Sequence, residues 1–213
     1  MANWDDDSPR LRENLKQVLR AIRDSARRRD MPSADDARGW QKDTMAGLDA
    51  PHKDYVGGFR GEGGKLEHCE VRIGSAAHGV PPARVADELN AFEKRLQRVI
   101  RDLDKSYEPG EELDADGLAA VLDLAAWAHA EWVRIHPLAN GNGRTARLWA
   151  NSILMRYGLP PVVTLRPRPD GGYGEAAAKA MNGEWEPTVM VFREMLLKHL
   201  RGDGPTTTTL RTK

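Results

Sequence analysis

The chain has 213 residues, and its 32 lysines and arginines balance its 32 aspartates and glutamates. This length suffices for one hydrophobic core, and the neutral balance gives no bulk electrostatic reason to expect a nucleic acid or an anionic membrane as a partner. A single cysteine, Cys69, excludes an internal disulfide and a cysteine-rich metal site, which favours a reducing, cytoplasmic location.

The amino-terminal residues are acidic and polar, and no apolar run of about 18 residues follows them. The sequence therefore predicts neither a Sec-type signal nor a membrane span, and it leaves export by another route open. Ser8 and Pro9 are typical of a helix start, and apolar residues then recur at helical spacing. We predict an amphipathic helix and a linker over residues 1–35, and a second helix over Asp36–Leu48.

The β-branched composition of Cys69–Ile73 predicts the one strand of the chain, in a small hairpin that is closed by Pro81. Three neighbouring side chains could suggest a metal site, but their spacing is not that of metal ligands, and we expect them to face solvent. These are His68, Cys69 and His78.

Apolar stripes at helical spacing continue through the second half of the chain and predict a mainly α-helical fold of about seven or eight helices. Trp127, Trp132 and Trp149 are expected in the core, and His129 is expected to be a buried, hydrogen-bonded histidine. The tail at residues 202–213 is expected to be disordered. The predicted helices cover Val85–Leu103, Asp116 to the segment before His136, Ala146–Tyr157, Tyr173–Met181 and Pro187–Leu200.

The segment His136–Arg147 reads HPLANGNGRTAR and carries the chemistry. Gly141 and Gly143 alternate with asparagines directly before a helix expected to begin near Arg144, where backbone N–H groups and the helix dipole favour an anion. Arg144 and Arg147 share one face of the first turns, although cations there oppose the dipole. This placement is best explained by a phosphate that binds between the two guanidinium groups.

His136 precedes a proline at the end of a predicted helix, a position that favours a proton acceptor over a core residue. The dipole of the preceding helix would raise the pKa of His136, whereas Arg144, Arg147 and the next helix would lower it. We expect these effects to offset and to leave a base usable near neutrality. The alternative is a glycine-rich turn with an incidental histidine, which the twelve constrained positions disfavour.

The string HPLANGNGRTAR resembles the Fic family signature, HPFx(D/E)GNGRxxR, and the residues before it resemble the family's HAxFxxIHPF. Phe59-Arg60 and Val71–Gly74 are similar to the family's β-hairpin flap, which holds a target segment by strand addition. The resemblance implies a Fic-type helical bundle with a catalytic domain at 36–201. The residues implied to hold the target are Val71, Arg72, Ile73 and Gly74.

The resemblance further implies a protein adenylyltransferase that moves AMP from ATP to a serine, threonine or tyrosine hydroxyl of a target protein, with Mg²⁺ or Mn²⁺. His136 would accept the hydroxyl proton, Arg144 would contact the β-phosphate region and Arg147 would position the γ-phosphate. The residues implied to bind the phosphates are Asn140, Gly141, Asn142, Gly143, Arg144 and Arg147.

The chain departs from the family signature at two positions. Asn140 replaces the acidic residue that ordinarily holds the metal, and a neutral amide is a poorer ligand for a hard cation than a carboxylate. Leu138 replaces the usual phenylalanine and carries little functional weight. Two alternatives stay open: transfer of another phosphate-containing group, such as UMP or a phosphoryl group, and a catalytically weak module that binds a nucleotide or a partner.

The resemblance also implies restraint, either by an intramolecular helix carrying (S/T)xxxE(G/N) or by a separate antitoxin-like protein. The nearest match is Glu13-Asn14, but Pro9 stands where serine or threonine is expected. An ordinary surface glutamate is therefore the favoured interpretation of Glu13, and an inhibitory glutamate is the alternative. A homodimer and a role in a toxin–antitoxin system are left open.

Overall fold

The computed structural model describes residues 3–4, 6–73 and 77–203, and within these ranges the chain folds into seven α-helices and one two-stranded hairpin. The predicted fold class, a helical bundle with a small hairpin, is confirmed. The helices are α1 (Pro9–Arg28), α2 (Ala34–Thr44), α3 (Val85–Ser106), α4 (Ala115–Ile135), α5 (Asn142–Arg156), α6 (Tyr173–Ala180) and α7 (Glu186–Arg201). The strands are β1 (Arg72–Ile73) and β2 (Ala77–His78).

Two helices begin two residues earlier than predicted because of their caps. Helix α2 begins at Ala34 because Ser33 and Asp36 form a reciprocal capping box, in which each side chain accepts a hydrogen bond from the other's backbone N–H. Helix α5 begins at Asn142 because Gly141 takes a left-handed backbone, with φ of 91°, at the N-cap. The N-cap of α1 is Ser8, as predicted.

Strand β1, Arg72–Ile73, is shorter than the predicted strand, Cys69–Ile73. Only Arg72 and Ile73 pair with β2, in antiparallel register opposite His78 and Ala77, because Cys69 already belongs to a turn in which its N–H donates to the carbonyl of Leu66. Gly74 of the predicted flap and the tail beyond residue 203 lie outside the described residues.

Helix α4 forms the centre of the molecule and packs against α3, α5, α6 and α7. The predicted aromatic core is confirmed, because Trp132 and Trp149 have no exposed surface and Trp127 is 5% exposed. The Phe92 ring of α3 lies 5.6 Å from that of Trp132 and 5.4 Å from that of Trp149, measured between centroids. Among the described helices, none is both long enough and apolar enough for a bilayer span.

Helix α1 packs against α2 and α5, on the opposite side of α5 from the aromatic core. Val18 and Ile22 are buried against Leu148 and Met155 of α5. The amino-terminal helix therefore shares a core with the region that follows it. The division of the chain at residue 35 stays a prediction.

Candidate active site

The loop between α4 and α5 carries the predicted chemistry, and it starts from an unusual backbone. His136 is the C-cap of α4 and has left-handed angles, with φ of 53° and ψ of 53°. Left-handed backbone is uncommon outside glycine and costs of order 1–3 kcal/mol, so the surrounding contacts must stabilise it. This turn directs the chain away from α4 and lets α5 begin six residues later.

Side chains fasten the loop from both sides. Asn142 closes it from within, because its Oδ1 accepts from the Leu138 N–H at 2.9 Å and its Nδ2 donates to the Leu138 carbonyl at 2.7 Å. Gln41 of α2 is 1% exposed and donates to the carbonyl of Asn140 at 3.3 Å. Phe59 forms an isolated antiparallel bridge with Leu138. The Asn142 side chain therefore shapes the loop, and only its backbone is available to a ligand.

The start of α5 has the properties of an anion site. The N-cap is Gly141, which has no side chain to cap the first-turn N–H groups, and the first turn holds no acidic residue. Arg144 and Arg147 are each 5% exposed, and the Nη1 atom of Arg147 lies 3.5 Å from the place of a Cβ added to Gly143. The structure thus brings both signature arginines and the glycines to one helix end.

His136 is half-buried, and its Nδ1 lies 3.0 Å from the carbonyl oxygen of Val133. A carbonyl only accepts, so Nδ1 carries the proton and Nε2 keeps its lone pair. Burial lowers the pKa of His136 to about 4; the Val133 carbonyl opposes this effect and the charge of Arg60 adds to it. The expected pKa near neutrality is wrong, because burial is the largest effect and the cation that acts is Arg60.

Arg144, in the first turn of α5, contacts Asn140 of the preceding loop. The Nη2 atom of Arg144 donates to the Oδ1 atom of Asn140 at 3.2 Å. The amide oxygen that would have to hold a metal therefore already faces a cation. No group of three or more histidine, cysteine, aspartate or glutamate side chains in the described ranges could hold a metal ion. These residues do not fit a divalent cation held by the protein.

Arg147 is oriented by a buried pair on α4 and α6. Its Nη1 donates to the Tyr173 hydroxyl at 3.2 Å and its Nη2 donates to the Leu165 carbonyl at 3.0 Å. The Tyr173 hydroxyl also lies 2.7 Å from Nε2 of His129, which is 1% exposed. Burial lowers the pKa of His129 to about 3, with smaller effects from the charges of Arg147 and Arg168. His129 is therefore the buried, hydrogen-bonded histidine that the sequence predicts.

The hairpin lies directly beside His136. The Val80 N–H, just after β2, donates to the carbonyl of Ile135 at 3.2 Å, and a Cβ added to Gly79 would lie 2.7 Å from the His136 Cβ. Each strand pairs only with the other within the described ranges, so each has an open edge. Of the predicted flap residues, Arg72 is exposed, and Val71 and Ile73 are half-buried.

The sequence matches the model of the Fic/DOC family over residues 33–154, which is more than half of the chain. The chain belongs to the Fic/DOC family. The match includes α2, the hairpin, the loop after His136 and most of α5.

Curated relatives carry the name protein adenylyltransferase Fic. The Aedes aegypti protein is 59% identical over 103 residues, and the Drosophila persimilis protein is 36% identical over 103 residues; each match covers 48% of this chain and 17% of the relative. This chain thus spans less than a fifth of the length of those relatives. A Fic domain-containing signaling protein from Bacteroides thetaiotaomicron has the same fold, with a TM-score of 0.61 at 19% identity, over 89% of this chain and 69% of that one.

Other predicted residues of this Fic/DOC chain lie outside the loop. The side chain of His68 is 90% exposed, and its neighbours Cys69 and His78 form no metal-binding group in the described ranges. Glu13 is exposed on α1 and accepts a hydrogen bond from Gln17 at 3.3 Å. The inhibitory role of Glu13 stays a prediction, which automodification of Glu13→Gly tests.

Three residues of the Fic/DOC chain contact the site although the sequence predicts no role for their side chains: Gln41, Arg60 and Tyr173. Gln41 and Tyr173 are far from the signature in sequence, and each lies in an ordinary amphipathic helix, so no local pattern reveals their contacts. Arg60 carries a signal, because it belongs to the Phe59-Arg60 pair of the flap resemblance. Its contacts depend on tertiary folding.

Proposed function

We propose that this protein transfers AMP from ATP to a hydroxyl group of a target protein. The observation that carries the proposal is the placement of a neutral imidazole, that of His136, beside an anion-binding helix end flanked by Arg144 and Arg147. The names of the curated relatives support the same activity. Because the chain spans only part of those relatives, the activity belongs to the proposal.

In the proposed reaction, Nε2 of His136 accepts the proton of the target hydroxyl. The hydroxyl oxygen then bonds to the α-phosphorus of ATP, the bond from that phosphorus to the bridging oxygen breaks, and pyrophosphate leaves with the bonding electron pair. A base that is neutral at pH 7 is free to accept this proton, and such general-base assistance contributes typically 10²–10⁴-fold.

The start of α5 supplies the charge stabilisation of this transfer. Phosphoryl and nucleotidyl transfer depend mainly on positioning and on stabilising negative charge. The first-turn N–H groups of α5 and the Arg144 guanidinium would bind the phosphates that leave, and Arg147, oriented by Tyr173, would bind the terminal phosphate. Gly141 and Gly143 allow the backbone to approach the phosphates closely.

Mg²⁺ or Mn²⁺ is part of the proposal only as a companion of the nucleotide. Asn140 offers one neutral oxygen, which already accepts from Arg144. A divalent ion would therefore have to be held chiefly by the phosphates of ATP.

The hairpin is the proposed docking site for the target, because its open edges allow an extended segment to add as a further strand beside His136. An inhibitory partner protein and a homodimer stay predictions, and no surface is assigned to either. A cytoplasmic location also stays a prediction.

A specific observation favours one alternative, a nucleotide-binding module with weak catalysis. The Asn140–Arg144 contact occupies the position that the family signature reserves for an acid. Transfer of UMP or of a phosphoryl group is the enzymatic alternative, because the cradle binds phosphates and does not read the base.

The deciding experiment measures label transfer from α-labelled ATP to candidate lysate and to the protein itself, with α-labelled UTP and γ-labelled ATP in parallel. We expect label from α-labelled ATP only, and a loss of about 10²-fold or more in His136→Asn. Asparagine is chosen because it tolerates the left-handed backbone of position 136. His199→Asn, at an exposed histidine of α7 outside the proposed site, is the matched control and should keep the wild-type rate.

Two further outcomes of the same assay separate the alternatives. If Asn140→Asp raises transfer at low Mg²⁺, the asparagine limits metal use in this protein. If neither wild type nor Asn140→Asp transfers any label while calorimetry detects ATP binding, AMP transfer is rejected in favour of the nucleotide-binding module.

A further inference from the structure

Arg60 is a buried cation whose guanidinium donates to main-chain oxygens on both sides of the site. It is 1% exposed. Its Nε donates to the carbonyl of His136 at 2.7 Å, and its Nη2 donates to the carbonyls of Ile135 at 3.0 Å and Val80 at 2.7 Å. Its Nη1 donates to the carbonyl of Cys69 at 3.1 Å. One guanidinium group thus binds four carbonyls.

These four carbonyls belong to two parts of the site. Cys69 lies just before β1 and Val80 lies just after β2, so the guanidinium joins both ends of the hairpin. Ile135 is the last residue of α4, and His136 is its left-handed C-cap. The Arg60 backbone N–H adds a further bond, at 2.7 Å, to the carbonyl of Pro137. Arg60 therefore connects the hairpin to the residue that carries the imidazole.

The environment of Arg60 argues against an ordinary ion pair. Burial is the dominant effect on the pKa of Arg60 and lowers it, whereas the nearby Cys69 and Glu70 raise it. A buried cation without a paired carboxylate is costly, and its rigid planar fork suits several fixed acceptors at once. Such an arrangement is expected where geometry matters more than stability.

We propose that Arg60 is a positioning residue, which holds the left-handed backbone of His136 and fixes the base at a constant distance from the target-binding hairpin. The inference rests on the proposed AMP transfer. The carbonyl of His136 is bound directly by Nε of Arg60, so the strained turn at the C-cap cannot relax without breaking this bond. The same charge helps to keep the imidazole neutral, in addition to burial.

Gly79 gives independent support, because the packing leaves no room for a side chain between the hairpin and the base. A Cβ at position 79 would lie 2.6 Å from Nη2 of Arg60, 2.7 Å from Cβ of His136 and 3.2 Å from the Ile135 carbonyl oxygen. Gly79→Ala would thus push Arg60 and His136 apart without removing any charge. It provides a second variant where loss of the guanidinium prevents folding.

The test compares Arg60→Gln, Arg60→Lys and Gly79→Ala with Arg156→Gln. Arg156 is the matched control, because it is also buried and donates to main-chain carbonyls, those of Arg29 and Asp30. It lies at the far end of α5, about 21 Å along the helix axis from the start of that helix. Each protein is assayed for thermal stability, for AMP transfer per folded molecule, with kcat and KM for the target separated, and for the imidazole NMR resonances of His136.

We expect the transfer rate per folded molecule to fall about 100-fold in Arg60→Gln, the loss typical of a misplacement of about 1 Å. Both kcat and the KM for the target should change, since base and hairpin are both displaced. Arg60→Lys, which keeps the charge but not the fork, should recover part of the rate, and Gly79→Ala should lose rate without a change of charge. Arg156→Gln should lose stability and keep its rate per folded molecule.

The inference is overturned if Arg60→Gln and Gly79→Ala lose only stability, as Arg156→Gln does. If the wild-type protein transfers no AMP, the proposed function fails, and the NMR comparison decides the inference separately. Imidazole resonances that move in the Arg60 and Gly79 variants but not in Arg156→Gln would support the positioning role, and unmoved resonances would reject it.

Discussion

His136 combines a strained backbone with a neutral side chain, and both properties have the same origin in the packing of the site. Nδ1 contacts the Val133 carbonyl at the left-handed end of α4, and the imidazole is half-buried there. Burial then disfavours the imidazolium form. The His136 imidazole is therefore neutral near pH 7, where it can accept a proton.

This low pKa predicts a flat pH dependence of the transfer rate. Because the pKa of His136 is lowered to about 4, the imidazole stays neutral as pH falls through 6.5, the value at which an unperturbed histidine is half protonated. We expect kcat/KM for AMP transfer to be constant between about pH 6 and pH 8 and to fall only near pH 4, as the base becomes protonated. The measurement is the initial rate at subsaturating target.

A tenfold loss of kcat/KM between pH 7 and about pH 5.5 in the wild type would contradict this assignment. His199→Asn, at an exposed histidine of α7, serves as the control, since any pH dependence that it shares with the wild type does not arise from His199.

At the scale of the element, the start of α5 is supported by contacts from α2, from α6 and from the loop that contains Phe59. Gln41 of α2 and Phe59 contact the loop that precedes α5. Tyr173 of α6 accepts a hydrogen bond from Arg147 within α5. These contacts hold the helix end in place, which would reduce the ordering that binding of the proposed nucleotide requires.

Tyr173→Phe tests this support, because it removes the hydroxyl that lies between His129 and Arg147. Two buried polar groups would lose a partner, which costs about 1–3 kcal/mol each at most. We expect a lower urea midpoint and a higher KM for ATP, since Arg147 loses its orientation. Tyr157→Phe is the control, because its hydroxyl donates to Asp104 at the other end of α5.

A lowered midpoint in both variants with a raised KM for ATP only in Tyr173→Phe would agree with this role. An unchanged KM in Tyr173→Phe would show that the loop alone positions Arg147.

The elements that the sequence predicts best are those with strong local signals. The apolar stripe of α3, the N-cap of α1 and the glycines before α5 are patterns of neighbouring residues, so they can be recognised without the tertiary structure. The pKa of His136 could not be predicted, because Arg60, 76 residues earlier, and the depth of burial depend on the tertiary fold. Likewise, the Gln41 and Tyr173 contacts join residues far apart in sequence.

At the scale of the whole molecule, α1 supports α5, the helix that begins at the signature loop. Its apolar face covers the side of α5 opposite the aromatic core, so α5 is buried from both sides. The carbonyls that follow α1 accept hydrogen bonds from Arg156, which also forms an ion pair of 2.6 Å with Asp104 of α3. One arginine therefore connects three helices.

Ile22→Ala tests whether α1 is part of this single folding unit. Ile22 is 1% exposed, and its truncation should cost about 2–5 kcal/mol of unfolding free energy. Met190→Ala, at a residue 63% exposed on α7, is the control and should change the free energy by less than about 0.5 kcal/mol. Urea unfolding followed by tryptophan fluorescence should show one transition that is shifted to lower urea, whereas an unshifted transition would mean that α1 folds apart.

The packing of α1 on α5 determines how readily a protease can reach the arginine-rich end of α1. Arg27 and Arg28 are exposed, and α1 ends at the left-handed Arg29, whose carbonyl is held by Arg156. Trypsin cleaves after arginine in segments that can open locally, so this run would be cut readily in a detached helix. While α1 stays docked, the same residues resist the protease. The rate of tryptic cleavage at this junction is therefore a direct gauge of how often the amino-terminal helix leaves α5.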